Sequence, residues 1–481
     1  MESLQRTANR GSISTGFDIS NSLKFEADNT EYLHFTPSSQ TDYERLAFSV
    51  WVKRTEISTT QTIAEFGNGT ADTTQLRIGF DTNDRLFCYG NSTIWRQTNR
   101  VFRDTSAYYH LFFLFDTTTP GGVSNNRIRI WVNGSMIAHT DFGVINNPGS
   151  GSSMGFNRTT QQSIGAQRED GPKNYFCGYM SQVWASGGTP PVVTDFGEYD
   201  EDTNIWKPIN ISGVSVPDAN GFFLDFSSSS DLGNDSSSNN NDFTLVNIAA
   251  IDQATDSPTN NFCTFNAIQN YTPSTVLSDG GTLWDNPAGQ NWQTITGTFA
   301  VASGKWYWEV RGATYAFLGI VDVADSVVPT NPNGYYLGYG DNNSATTKSI
   351  GMYSINGQVY NAPSGSPDGT SYTSSSMIGF ALDMDNRKMW ISKDGTWIST
   401  IGDPTGTPSG GIDLTYLGDY VYPAASVSAS NGVICAFGGI VSPHVSHHNM
   451  TNTDANGYGA FKTAPPANYY SLCSKNLAEY G

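Results

Sequence analysis

Charge is scarce in this sequence. Only 14% of its 481 residues are Asp, Glu, Lys or Arg, well below the usual quarter. Basic charge is scarcer still, since 25 Lys and Arg face 44 Asp and Glu and leave a net charge of −19. Phosphate recognition needs clustered Lys and Arg, so no nucleic-acid partner is expected. The acidity is read as solubility and self-repulsion at high local concentration. Cysteine is also sparse. Cys88, Cys177, Cys263, Cys435 and Cys473 are odd in number, far apart and without a CxxC pair. That speaks against a zinc knuckle and against a dense disulfide framework, and free thiols in a reducing cytosol are the simplest account. No apolar run approaches the roughly 18 residues of a membrane span, so no membrane insertion is expected. The opening MESLQRTANR has no apolar core of a signal peptide.

Catalytic signatures are missing too. There is no GxSxG, no P-loop and no HExxH. His34, His110 and His139 stand isolated in or beside strands, and no Ser-His-Asp grouping can be argued from them. Glycan hydrolysis needs two carboxylates about 5–10 Å apart, and alternate strand positions would supply that spacing. No ExDxE run occurs; Asp383 and Asp385 flank a turn and are read as hairpin acids. The expectation is a protein that is not an enzyme.

What fills the sequence is Gly, Ser, Thr, Asn and aromatics, with Phe, Trp and Tyr at 13%. That is the composition of short strands and tight turns, and the recurrent aromatics supply a core that a disordered chain lacks. A chain this long exceeds one core, so two domains or a little more are expected. The fold class is all-β: two antiparallel β-sandwich (jelly-roll) domains in series with an N-terminal arm and a C-terminal tail. Residues 1–20 form a polar arm, 21–246 the first sandwich, 247–269 a turn-rich connector, 270–440 the second sandwich and 441–481 the tail.

Strands read from alternation include 48–52, 110–116, 127–132 and 176–184 in the first region. The stretch 127–132 alternates charged and apolar residues, which gives one wet face. Asn133-Gly134 follows it at once as a hairpin turn. In the 176–184 strand, Gly178 marks a close approach of a neighbour. In the second region, 378–397 reads as strand, Asp385-Asn386 turn, strand, Asp394-Gly395 turn.

These pieces carry resemblances. Leu23-Lys24-Phe25, Ser49-Val50-Trp51-Val52, Trp131-Val132-Asn133-Gly134, Ile164-Gly165 and Phe176-x-Gly178, in that order, resemble the laminin-G and pentraxin group of concanavalin-like jelly rolls. Gly221–Phe226 with the acidic turn 234–242 resembles that group's closing strand and turn. GKWYWEV at 304–310, FLGIV at 317–321, the 378–397 hairpin and YPAASV at 422–427 are similar to the SPRY family of β-sandwiches. DSPTNNFCT at 256–264 and the ending 470–477 resemble structural proteins of tailed phages, notably aquatic ones.

The last resemblance implies a virion protein, made in the host cytoplasm, that displays carbohydrate- or protein-binding sandwiches. A tail fibre, spike or other receptor-binding component for host attachment is expected first. A capsid decoration or head-fibre protein is the alternative, and a glycan hydrolase comes last. Expected partners are other virion proteins through residues 1–20, a host surface glycan or protein, and sister subunits, as a trimer for avidity. No cofactor is required, and two metal readings stand beside structural ones. His444, His447 and His448 form either a polar surface loop or, at a trimer axis, a shared metal site. Asp231 and Asp235 are either Asx-turn residues or ligands of the calcium that the laminin-G resemblance implies at the sandwich rim. Among Trp95, Trp292 and Trp397, read as exposed, Trp397 beside the Asp394-Gly395 turn is the ligand-binding candidate.

Overall fold

The computed structural model describes residues 17–42, 44–67, 75–168, 171–269, 276–286, 292–324, 336–338, 348–361, 366–428, 431–441 and 450–481. The chain divides into two compact units, Met1–Asn260 and Asn261–Gly481. Both are antiparallel β-sandwiches, as expected for the fold class.

The first unit opens with β1 (Ser22–Phe25), β2 (Tyr32–Phe35), β3 (Arg45–Arg54), β4 (Gln61–Phe66), β5 (Leu76–Phe80) and β6 (Arg85–Gly90). It continues with β7 (Thr93–Val101), β8 (Tyr109–Asp116), β9 (Ile128–Val132), β10 (Ser135–Met136), β11 (Phe142–Ile145) and β12 (Gln162–Ile164). Then come β13 (Gly178–Ser186), β14 (Gly197–Tyr199), β15 (Trp206–Pro208), β16 (Phe222–Leu224), β17 (Thr244–Val246) and β18 (Gln253–Ala254). One sheet runs β10-β9-β8-β3-β13-β1-β18, with β16 on β13; the other runs β11-β7-β6-β5-β4-β12-β2-β17.

Alternation explains the packing. Leu46, Phe48, Val50 and Val52 of β3, with Leu111, Phe113 and Phe115 of β8, enter the core between the sheets. Ala47, Ser49, Trp51 and Lys53 of β3 face the other way, yet they too are buried. The segment after β13 covers that second face, where Phe112, Leu114 and Trp184 pack against Phe196 and Ile211. At its edge β9 keeps the alternating burial that its sequence shows.

The turns follow residue chemistry. Asn133 and Gly134 have φ of 49° and 75°, the two left-handed positions of a type I′ hairpin, and join β9 to β10 with Val132 opposite Ser135. A Cβ on Gly178 would sit 2.0 Å from the Lys53 carbonyl oxygen, so the close approach read from sequence is real. The first part of the expected connector belongs to this unit: β18 pairs with β1, Ser22 opposite Ala254. Asp252 and Asp256, on either side of β18, form buried ion pairs with Lys24 at 2.9 Å and Lys53 at 2.7 Å.

The second unit begins with β19 (Val276–Ser278), β20 (Leu283–Asn286), β21 (Gln293–Thr296), β22 (Lys305–Arg311), β23 (Ala316–Asp322) and β24 (Ser349–Tyr353). Next are β25 (Gln358–Asn361), β26 (Ser366–Asp368), β27 (Met377–Asp383), β28 (Lys388–Lys393), β29 (Thr396–Trp397) and β30 (Gly402–Asp403). It ends with β31 (Ser409–Gly410), β32 (Ile412–Asp413), β33 (Val421–Val427), β34 (Asn431–Ala436), β35 (Tyr470–Ser471) and helix α1 (Ser474–Tyr480). The larger sheet follows β19-β20-β34-β22-β27-β28-β29, and the smaller follows β21-β33-β23-β24-β25-β26. Trp306, Trp308, Ile378, Phe380 and Leu382 fill the core between them. Trp308 and Phe380, opposite each other on β22 and β27, stack with centroids 5.1 Å apart.

Residues from the expected tail are part of this sandwich. β35 pairs parallel to β22, and Phe461, Tyr469 and Leu472 join the core cluster. Two buried carboxylates hold the segment. Glu309 accepts the backbone N–H of Lys462 and Thr463 at 2.7 and 2.8 Å and the Tyr307 hydroxyl at 2.9 Å. Asp454 accepts from Ser471, Asn476, Asn456 and Tyr458. All five cysteines are buried.

Candidate binding surface

His444, His447 and His448 lie outside the described residues, as do residues 1–16 of the arm. Among the described residues no group of three His, Cys, Asp or Glu stands ready to hold a metal ion. Asp231 is exposed and Asp235 is buried. The Asp235 carboxylate accepts the N–H of Phe223 at 2.8 Å, of Ser237 at 2.9 Å and of Asn241 at 2.8 Å, and the Ser237 hydroxyl at 2.9 Å. Its oxygens are therefore engaged in folding the 235–241 turn onto β16.

Asp383 and Asp385 serve their hairpin. Asp383 pairs with Lys305 at 3.0 Å and accepts from Asn386. Burial pushes its pKa up, but the Asn386 and Lys305 contacts outweigh that and hold it below the ordinary carboxylate value. Asp385 accepts the Gly304 N–H at 2.8 Å.

One Ser–His contact was not legible in the sequence. Ser49 Oγ lies 2.9 Å from His110 Nε2, and Trp206 donates its indole N–H to His110 Nδ1 at 3.0 Å. Indole nitrogen is a donor only, so Nδ1 is unprotonated and the ring proton sits on Nε2, donated to Ser49. A nucleophilic serine needs the reverse, its hydroxyl donating to a bare ring nitrogen. Complete burial lowers the His110 pKa to about 3. The dyad is a structural bridge under the segment that covers the sheet.

Burial also acts on one acid beside the β18 ion pairs. Glu31 is 1% exposed. One oxygen accepts the Asn29 amide at 3.1 Å, and the other is buried with no hydrogen-bond partner. Desolvation raises its pKa to about 8; Lys24 opposes that shift, and Asp252 and Glu26 add to it.

The tryptophans divide differently from the sequence expectation. Trp95 is 1% exposed and belongs to the first core, because β7 turns it inward. Trp397 is half-buried against the second core. Trp292 lies in a ring cluster on the outer face of the smaller sheet of the second unit. There Phe317 of β23 lies nearly parallel to Tyr336 and Tyr353, with centroids 4.2 and 4.5 Å away. Trp292 and Tyr360 meet it edge-on at 5.1 and 5.3 Å. The local sequence builds this face. Odd positions of β23 point outward, and Gly319 and Gly351 oppose each other there without side chains. A Cβ on Gly351 would meet Leu337 at 2.7 Å, so the glycine makes room for the 336–338 segment. Phe317 is buried, while Trp292, Tyr336, Tyr353 and Tyr360 are half-buried and Tyr315 is 51% exposed. Burial, then Tyr315 and Tyr360, push the Tyr353 pKa up, so its phenol stays a neutral donor. Rigid rings with polar tips are what protein and sugar contacts use. No sequence motif announced the cluster, because its members come from five separate places in the chain.

No family model matches this sequence, and no curated protein does. Among solved structures, the chain is similar to the SPRY domain of human HERC1, with 16% identity over 34% of this chain and 91% of that one, at a TM-score of 0.25. It is similar to the TRIM65 PSpry domain, with 14% identity over 36% of this chain and 91% of that one, at a TM-score of 0.27. It is also similar to stonustoxin, with 17% identity over 36% of this chain and 27% of that one, at a TM-score of 0.27. At these scores the sandwich architecture rests on the strand pairing described above.

Proposed function

We propose that this chain is a virion structural protein of the tailed-phage kind, a tail fibre, spike or related component that binds a host surface through displayed β-sandwiches. The observation that carries the binding half is the ring cluster of Trp292, Phe317, Tyr336, Tyr353 and Tyr360 on an outer sheet face. The virion half is supported by the resemblance of residues 256–264 and 470–477 to phage structural proteins. A binding role fits the carboxylates Asp235, Asp383 and Glu309, each engaged in holding backbone or hairpin, and the inert polarity of Ser49–His110. Fold alone does not fix the ligand.

The test has two arms. Purified protein should adsorb to host cells and compete with particles for them, and Tyr353→Ala with Trp292→Ala should weaken that adsorption at least about tenfold, as for loss of aromatic anchors. Antibody-labelled electron microscopy should place the chain on the tail. Labelling on the shell with no adsorption would favour the capsid-decoration reading instead. Deleting residues 1–20 should leave a folded protein that no longer joins particles.

A further inference from the structure

Two carboxylates bear on one lysine where the last strand of the first unit closes on the first. Lys24 of β1 pairs with Asp252 at 2.9 Å. Glu31 ends the turn that leaves β1, where its N–H reaches back to the Glu26 carbonyl at 3.1 Å. Lys24, Asp252 and Glu26 are the charged groups that act on Glu31, and all four residues are buried. On the side of β13, Tyr179 lies opposite Lys24 and the Cys177 thiol faces Glu26 at 3.8 Å. Burial raises the pKa of that thiol, so it stays neutral. While Glu31 keeps its proton, Asp252 holds the lysine undisturbed. Ionised Glu31 puts a second negative charge beside the pair, where it repels Asp252 and attracts the same ammonium. Its Oε2 is buried and has no hydrogen-bond partner to stabilise that charge.

The segment that carries Asp252 is lightly held. β18 has two residues, lies at the end of its sheet and pairs with β1 alone. Before it, Asn247 donates to the Asn29 carbonyl at 2.9 Å and to the Thr30 hydroxyl at 2.8 Å, both at the exposed surface. Residues 247–254 therefore touch the turn before Glu31 at one end and Lys24 at the other. A short end strand with side-chain tethers opens at lower cost than the whole unit unfolds, and its opening admits water to the buried acids. We infer that residues 247–254 are a clasp released by alkali, closed while Asp252 has Lys24 to itself and opened when Glu31 gives up its proton and competes for the lysine. In the closed site Glu31 keeps its proton up to about pH 8, against an ordinary value of 4.5 once it meets water. Opening is therefore favoured increasingly as pH rises from 4.5 and levels off above 8.

The test is amide hydrogen exchange with mass spectrometry on the full chain at about pH 6.5, 7.5 and 8.5, each rate divided by the intrinsic exchange rate at that pH. Residues 247–254 should exchange faster than β3. In dilute urea their rate should hold while that of β3 rises, which marks a local opening. From pH 6.5 to 8.5 their normalised rate should rise about twentyfold. Glu31→Gln, which cannot ionise, should show one low rate at all three pH values. Asp252→Asn leaves Lys24 to Glu31, which then ionises at lower pH. In that variant residues 247–254 should exchange faster already at pH 6.5 and change less up to pH 8.5. The inference is overturned if residues 247–254 exchange only as fast as β3, if their normalised rate does not rise with pH, or if Glu31→Gln rises as the wild type does.

Discussion

Replacing Glu31 by glutamine should stabilise the first unit, and by an amount that grows with pH. Folded Glu31 holds its proton up to about pH 8, against an ordinary value of 4.5. The unfolded chain releases that proton near 4.5. Below that pH both states are protonated and the folded state loses nothing. As pH rises the unfolded state gains by ionising, so stability falls by about 1.4 kcal/mol per unit until pH 8. The total is on the order of 3 kcal/mol by pH 7 and 5 kcal/mol above pH 8. His110 acts in the opposite direction over a lower window. Its folded pKa, about 3, lies below the ordinary 6.5, so its contribution is present above 6.5 and is lost as pH falls toward 3. The two slopes offset each other between 4.5 and 6.5, and of these two groups only Glu31 still titrates between 6.5 and 8. Over that interval the wild-type chain should lose about 2 kcal/mol. Glu31→Gln, isosteric and uncharged, should lose none of it. Urea unfolding followed by tryptophan fluorescence at several pH values between 6.5 and 8.5 measures both. A difference between the two proteins that stays constant across this range, or a variant less stable than wild type at pH 8, would refute the reasoning.

Other expectations follow from single contacts. Trp206→Phe should strand His110 Nδ1 without a donor and cost about 1–3 kcal/mol in the first unit's unfolding transition. Glu309→Gln should cost about 2–4 kcal/mol, because one amide oxygen cannot serve three donors; amide hydrogen exchange at Lys462 and Thr463 should quicken. Gly319→Ala should cost about 3 kcal/mol by thermal unfolding, since its Cβ would lie 2.0 Å from the Ile350 carbonyl oxygen.

Strand faces and tight turns were legible because they are local. Asn133-Gly134 and Asp394-Gly395 each supply two residues with positive φ, and period-two alternation placed Phe48, Val50 and Val52 inward. Coverings over the outer sheet faces were not legible. Phe461, Tyr469 and Leu472 are spaced singly in a polar stretch, without the period of strand or helix, yet they are buried. Lys24 and Lys53 sit at positions that alternation marks as wet. They are buried because Asp252 and Asp256, some two hundred residues later in the chain, return to neutralise them.

The return of Asp252 and Asp256 bears on mechanics. The chain leaves the first unit at Asn260, just after β18 and its two carboxylates. Tension entering there meets a short strand riveted on each side by an ion pair shut away from water, and salt screens such pairs far less than exposed ones. Replacing either aspartate breaks a buried ion pair, a loss of about 3–5 kcal/mol. The exit of this sandwich is thus a mechanically reinforced joint. It should resist pulling until β18 and both rivets fail together, and the force needed should change little with ionic strength.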